Sequence, residues 1–142
     1  MVMNLRKLTI WDLPFLLEVR NHETTRINLE NDSVFTLEQC AQWFLDTNPD
    51  WYIIEVDDNN VGYFRTNGYE VGADIHPMYR RKGYARDAYK IYLKDKTHAS
   101  LWVFVDNFAK NLYTELGFVE NGNYKMIRNR KYIQMIYGKV TN

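Results

Sequence analysis

Cysteine is almost missing: Cys40 is the only one in 142 residues, so an internal disulfide framework and a cysteine-based zinc site are both excluded. A lone thiol suits a reducing cytoplasm. Proline is scarce as well, with three, and no repeat, low-complexity tract or Pro/Ser-rich linker divides the chain. Net charge is absent, because 18 lysines and arginines balance 18 aspartates and glutamates. That removes the global field expected of a protein that grips nucleic acid, membranes or polyanions, so an anion site must be local. No apolar run approaches the roughly 18 residues of a membrane helix, and the first ten residues lack the apolar stretch of a signal peptide. No Walker loop and no G-x-G-x-x-G after a strand occurs. His22, His76 and His98 lie far apart without short ligand spacing, so no metal is expected. The chain reads as a soluble, cytoplasmic protein with one domain over residues 1–142, long enough to bury about 70% of its unfolded surface.

What is plentiful is aromatic: 15% of residues, including 11 tyrosines and 4 tryptophans, which suits a core and clefts lined by amphipathic rings. Asn4 to Thr9 reads as a strand, followed by a helix capped by Thr9 or Asp12 and running to about Arg20, with Pro14 in its first turn. After a polar stretch, Thr36 and Gln39 have capping-box spacing and open a helix to about Asp46. Trp51 to Val56 and Val61 to Arg65 are strands around an Asp57–Asn60 turn, and Asn67-Gly68 turns into a strand from Tyr69 to His76. Ala85, Ala88, Tyr89, Tyr92 and Leu93 predict an amphipathic helix between Gly83 and Lys94. Leu101 to Val105, a continuous apolar run, predicts a strand buried on both faces. Asp106-Asn107 caps a helix stopped by Gly117, and Phe118 to Tyr124 and Tyr132 to Val140 are closing strands. The order is β-α-α-β-β-β-α-β-α-β-β: an α/β (α+β) fold with a mixed, mostly antiparallel sheet of about seven strands flanked by helices.

The chemistry concentrates at Ile75-His76-Pro77-Met78-Tyr79-Arg80-Arg81-Lys82-Gly83-Tyr84-Ala85, a strand end, three cations and a glycine just before a helix. Unpaired amides at the helix start, its dipole and close approach at Gly83 make an anion cradle, with Arg80, Arg81 and Lys82 as counter-charge. Nucleic-acid binding through these cations and Arg86 is disfavoured by the neutral total.

Arg80-x-x-Gly83-x-Ala85 after Ile75-His76-Pro77 resembles the acetyl-CoA pyrophosphate loop of the GNAT superfamily of N-acetyltransferases. The run from Asp106-Asn107-Phe108-Ala109-Lys110 through Leu112-Tyr113 to Gly117-Phe118 is similar to the family's second block. The resemblance implies acetyl-CoA as cosubstrate in a V-shaped gap between the strands at Gly72–His76 and Leu101–Val105. It implies a pyrophosphate held by amides from Arg81 through Lys82, Gly83 and Tyr84 to Ala85. A backbone amide near Ile75 would polarise the thioester, with Asn107 and Lys110 on the other wall. Tyr113 matches the position that protonates the departing thiolate; packing or cofactor contact is its other reading. Glu70 and Asp74, on one face of their strand with His76, are the candidate bases, and neither need serve.

Arg20-Asn21-His22, Arg26 and Trp43-Phe44 loosely resemble branches that acetylate amino-sugar nucleotides or protein N-termini. Arg20 and Arg26 could bind an acidic acceptor or pair with Glu23 or Glu30. Trp102 stands where related peptide-terminal acetyltransferases can carry a glutamate, which argues for a different acceptor. The expected partner is a small-molecule or peptide amine, with no nucleic acid and no membrane, in a monomer or homodimer. Cys40 is expected to pack rather than attack. The alternative is a GNAT-shaped module that holds CoA without turnover.

Overall fold

The computed structural model describes residues 1–138. Seven strands form one sheet in the order β1-β2-β3-β4-β5-β7-β6. They are β1 (Met3–Lys7), β2 (Tyr52–Val56), β3 (Asn59–Asn67), β4 (Glu70–Ile75), β5 (His98–Phe104), β6 (Val119–Ile127) and β7 (Arg130–Gly138). The helices are α1 (Leu13–Arg20), α2 (Glu23–Arg26), α3 (Leu37–Thr47), α4 (Tyr84–Leu93) and α5 (Ala109–Glu115). Every neighbouring pair is antiparallel except β4 and β5. The expected mixed sheet is therefore present, with one more helix than the sequence pattern announces.

That helix, α2, is a single turn inside the stretch read as polar loop, and a single turn carries no apolar period to reveal it. Elsewhere the local signals act as expected. The Thr36 hydroxyl accepts from the Gln39 amide at 3.1 Å while the Gln39 side chain accepts from the Thr36 amide at 2.9 Å, starting α3. Pro14 sits in the first turn of α1, where its missing N–H costs nothing. Asp57 and Asp58, both at positive φ, make a two-residue hairpin, so Asn59 and Asn60 belong to β3 rather than to the turn. Arg128 and Asn129 do the same between β6 and β7, which lengthens both strands toward the turn. The expectation of strand at Lys139 and Val140 lies outside the described residues.

Contrary to the expectation for Leu101 to Val105, β5 is not buried on both faces: Ala99, Leu101 and Val103 are buried, while Ser100, Trp102 and Phe104 are half-exposed on the other side. The sheet carries a core on each face. Ile54, Phe64, Leu101 and Met135 pack with Tyr89 and Leu93 of α4 on one side. Ile53 and Tyr63 pack with Leu13, Leu16 and Val19 of α1 and Cys40 of α3 on the other. Cys40 is thus a packing residue, and burial pushes its thiol pKa up.

Tyr63 and Tyr89 are completely buried, and burial holds both phenols well above their usual pKa of 10. Below about pH 10 both are protonated folded or unfolded, so their contribution is fully present. Above that, the unfolded chain loses protons that the folded chain keeps, and stability falls as pH rises toward the folded pKa values. With two such groups the slope approaches about 2.7 kcal/mol per pH unit. Thermal melts are expected to be flat from about pH 8 to 9.5 and to drop steeply beyond; a Tm unchanged at about pH 11 contradicts the burial argument.

Candidate active site

β4 and β5 pair at one position only, Glu70 with Ser100, and then diverge. On the far side of β4, the His76 amide donates to the Val61 carbonyl at 2.8 Å, next to the Gly62–Ile75 pair. Because an antiparallel ladder alternates, the Ile75 amide must turn the other way, into the gap left by β5. The Ile75 carbonyl accepts from Arg80 Nε at 3.0 Å. The gap opens into a cleft of about 770 Å3, walled by Ala73, Ile75, Gly83, Ala85, Asn107 and Tyr113 among others.

At one end of this cleft the chain leaves the 3-10 turn Pro77–Tyr79 and enters α4 through two left-handed residues, Arg81 at φ 63° and Gly83 at φ 77°. The first bond of the helix runs from the Asp87 amide to the Gly83 carbonyl at 3.1 Å. Within the described residues, none of the amides from Arg81 to Arg86 has a hydrogen-bond partner. Consecutive free donors plus the positive end of α4 form the kind of cradle that can accept an anion.

At the centre, Tyr113 of α5 sits edge-on to Tyr89 at 5.5 Å and to Phe118 at 6.0 Å, with its residue lining the cleft. Burial raises its pKa above 10, outweighing the opposing pull of the neighbouring Tyr89 hydroxyl, so the phenol keeps its proton at neutral pH. Across the cleft, Asp74 of β4 and Arg65 of β3 form an ion pair, Nε to Oδ2 at 3.1 Å. Burial pulls the Arg65 pKa down and Asp74 pushes it up; the net effect is upward.

The family profile for acetyltransferases (GNAT) matches residues 13–118, which spans both the cradle and α5. The chain belongs to the acetyltransferase (GNAT) family. No curated protein sequence matches it significantly. Among solved structures, the spermidine N-acetyltransferase of Vibrio cholerae, in complex with CoA and spermine, is similar at TM-score 0.80 and 22% identity over 94% of each chain. The ribosomal-protein-alanine N-acetyltransferase of Brucella melitensis is similar at TM-score 0.73 and 20% identity, over 98% of this chain and 100% of that one. A Salmonella typhimurium chain solved with its cofactor acetyl-CoA gives TM-score 0.75 and 18% identity, over 100% and 96%. The seven-stranded sheet with its splayed β4 and β5 is the GNAT fold.

Within this GNAT cleft the expected residues divide. Ile75, Arg80, Arg81, Gly83, Tyr84, Ala85, Asn107, Tyr113 and Asp74 all line it. His76 does not: its Nε2 meets Glu18 at 2.9 Å, its Nδ1 accepts from the Met78 amide at 3.1 Å, and its ring stacks on Phe15. Lys82 is exposed outside the lining, and Lys110 turns to Glu120 at 3.4 Å. Glu70 borders an adjoining cavity of about 250 Å3 instead. Asn107 lies just before α5, its Oδ1 accepting from the Ala109 amide at 2.9 Å.

Arg80 is not a free counter-charge. Besides Ile75 it donates to the hydroxyls of Thr24 and Thr25, the latter at 2.8 Å, so it fastens α2 to the cleft floor. A single helical turn has too little stability to stand alone, and this tie gives the cleft its second wall. Arg20 and Arg26 pair with neither Glu23 nor Glu30. Arg20 donates to the carbonyls of Asn31 at 2.6 Å and Ser33 at 3.2 Å, and Arg26 to those of Asn21 at 2.9 Å and Asp32 at 3.1 Å. Both staple the loop after α2 rather than await an acceptor. Arg65 went unnoticed in the sequence; the signal was Gly72 between Glu70 and Asp74 on one strand face, a gap wide enough for a large neighbour.

Proposed function

We propose that the protein transfers the acetyl group of acetyl-CoA to a primary amine by direct attack, both substrates being bound together. The observation that carries this reading is the run of free amides from Arg81 to Arg86 at the mouth of the gap between β4 and β5. The residues present fit the cosubstrate: donors for a diphosphate at one end, an unpaired strand edge for an amide-bearing arm along the middle, and a protonated phenol on α5 at the centre.

Bound acetyl-CoA supplies a thioester whose carbonyl carbon gains the amine nitrogen as its bond to sulfur breaks. The Ile75 amide donates to the carbonyl oxygen as charge collects there, the logic of an oxyanion hole. Asp74, the candidate carboxylate that lines the cleft, takes the proton the amine must lose. Tyr113 gives its proton to the leaving sulfur and recovers one from solvent; reference pKa values of about 10 and 8.5 make that transfer short in energy. Arg81 faces the diphosphate, and Asn107 flanks the opposite wall. No acetyl-enzyme forms in this reading, because the only thiol, Cys40, is buried beneath α1. A lone reduced thiol also fits a cytoplasmic enzyme.

The acceptor readings drawn from loose resemblance, an amino-sugar nucleotide or a protein N-terminus, lose part of their support, because Arg20 and Arg26 are already engaged. The test is release of free thiol from acetyl-CoA across a panel of amines, alongside calorimetry with CoA. Turnover with at least one amine is expected. Binding of CoA without thiol release on a broad panel leaves only a binding module, and flat calorimetry removes the cosubstrate itself.

A further inference from the structure

Six arginines bear on the acceptor side of the sheet, and five of them are spent on the protein itself. Arg20, Arg26, Arg128 and Arg130 donate to carbonyls, and Arg80 to the two threonines and Ile75. Arg65 differs. Its side chain is only 35% exposed, and its sole polar contact among the described residues is the Nε ion pair with Asp74. Among the described residues, neither terminal nitrogen makes a hydrogen bond. The guanidinium lies against the Gly72 backbone, where a Cβ would come within 2.3 Å of Nη2 and 2.5 Å of Cζ. The absence of a side chain at Gly72 is what lets Arg65 lie down along β4.

Arg65 also occupies a particular position in the cavities. It lines both the main cleft and the adjoining cavity of about 250 Å3, which is otherwise bordered by Glu30, Thr66, Asn67, Glu70 and Trp102. A guanidinium with two free terminal nitrogens matches a carboxylate in bidentate fashion. Asp74, 15% exposed at its side, offers the opposite sign to an ammonium. Together they present both charges of a zwitterion within one ion pair's width.

Resting on the acetyltransferase reading above, we infer that the acceptor is a free amino acid: its carboxylate docks on the terminal nitrogens of Arg65, its amine meets Asp74, and its side chain enters the adjoining cavity. Size favours this over the larger acceptors. At about 30 Å3 per water, that cavity has room for about eight waters, enough for a polar side chain and too little for a nucleotide. The polar lining of Asn67, Thr66 and Glu70 favours side chains that donate hydrogen bonds.

The experiment measures kcat/KM by thiol release for matched trios: a free amino acid, its carboxamide and its decarboxylated amine. The free acid is expected to lead by about a hundredfold, since a site built for a polar group rejects analogues that lack it. Arg65→Gln is expected to erase that lead to within about fivefold while calorimetric affinity for acetyl-CoA changes less than about threefold. Gly72→Ala, which keeps the charge but pushes the guanidinium off its seat, is expected to reduce the preference as well, and it serves if Arg65→Gln fails to fold. Amides or decarboxylated amines that work as well as the free acids overturn the inference, as does a preference that survives both substitutions. In those cases acetyl-CoA still binds and turns over, so the parent reading stands; only a wild-type protein that binds no acetyl-CoA removes both.

Discussion

Tyr113→Phe is expected to lower kcat by about 10^2- to 10^4-fold, the range lost when a positioned general acid is removed. Chemistry and packing are separable at this residue. The ring of Tyr113 makes the edge contacts with Tyr89 and Phe118, and phenylalanine keeps that ring. Affinity for CoA and the melting temperature are therefore expected to stay near wild type, the loss falling on kcat. Burial holds the Tyr113 pKa above 10, so the wild-type enzyme shows no descending limb from this group below about pH 10. A variant retaining more than about a fifth of wild-type kcat would assign Tyr113 to packing, and the proton for sulfur would then come from solvent.

Much of the fold was legible because its signals are local. The Thr36–Gln39 capping box, Pro14 at the start of α1 and the Asp57-Asp58 turn each involve residues within a few positions, where spacing determines geometry. The cradle at Arg81 to Ala85 was legible for the same reason: a strand end, a glycine and a helix start are adjacent in the chain. Val71, Ala73 and Ile75 alternate along β4 and pack into one core, as a strand's two-residue period requires.

What was not legible depended on partners that carry no sequence mark. Arg20 and Arg26 found backbone carbonyls, which every residue has, so no pattern of types could announce them. The His76 ring is engaged by Glu18 and Phe15 of α1, 58 and 61 positions away, although its place in the loop motif is the expected one. The pairing of Arg65 with Asp74 needs the register that sets Arg65 opposite Gly72, a register fixed by the Gly68 turn. The apolar run Leu101–Val105 carries no mark of which face is covered, and Trp102 projects from the face that opens on the cleft.

Gly83 offers the sharpest test of the cradle. Its φ of 77° lies in the left-handed region, and it directly precedes α4. A Cβ added there meets only Arg86 Nη1 at 3.7 Å, an ordinary contact, so steric crowding is not what demands glycine. The backbone conformation is. Asparagine tolerates that conformation, whereas a β-branched residue there is an outlier costing about 1–2 kcal/mol or more. Gly83→Val should drive the loop out of the left-handed region and turn the amides of Lys82 to Ala85 away from a common point, raising the acetyl-CoA Kd by about a hundredfold. Gly83→Asn should leave Kd within about threefold. The graded pair matters more than either variant, because both add bulk and only one refuses the backbone angle. Calorimetry with equal losses for the two would mean that bulk at the mouth, not the aim of the amides, governs binding, and the diphosphate cradle would have to be sought elsewhere along the cleft.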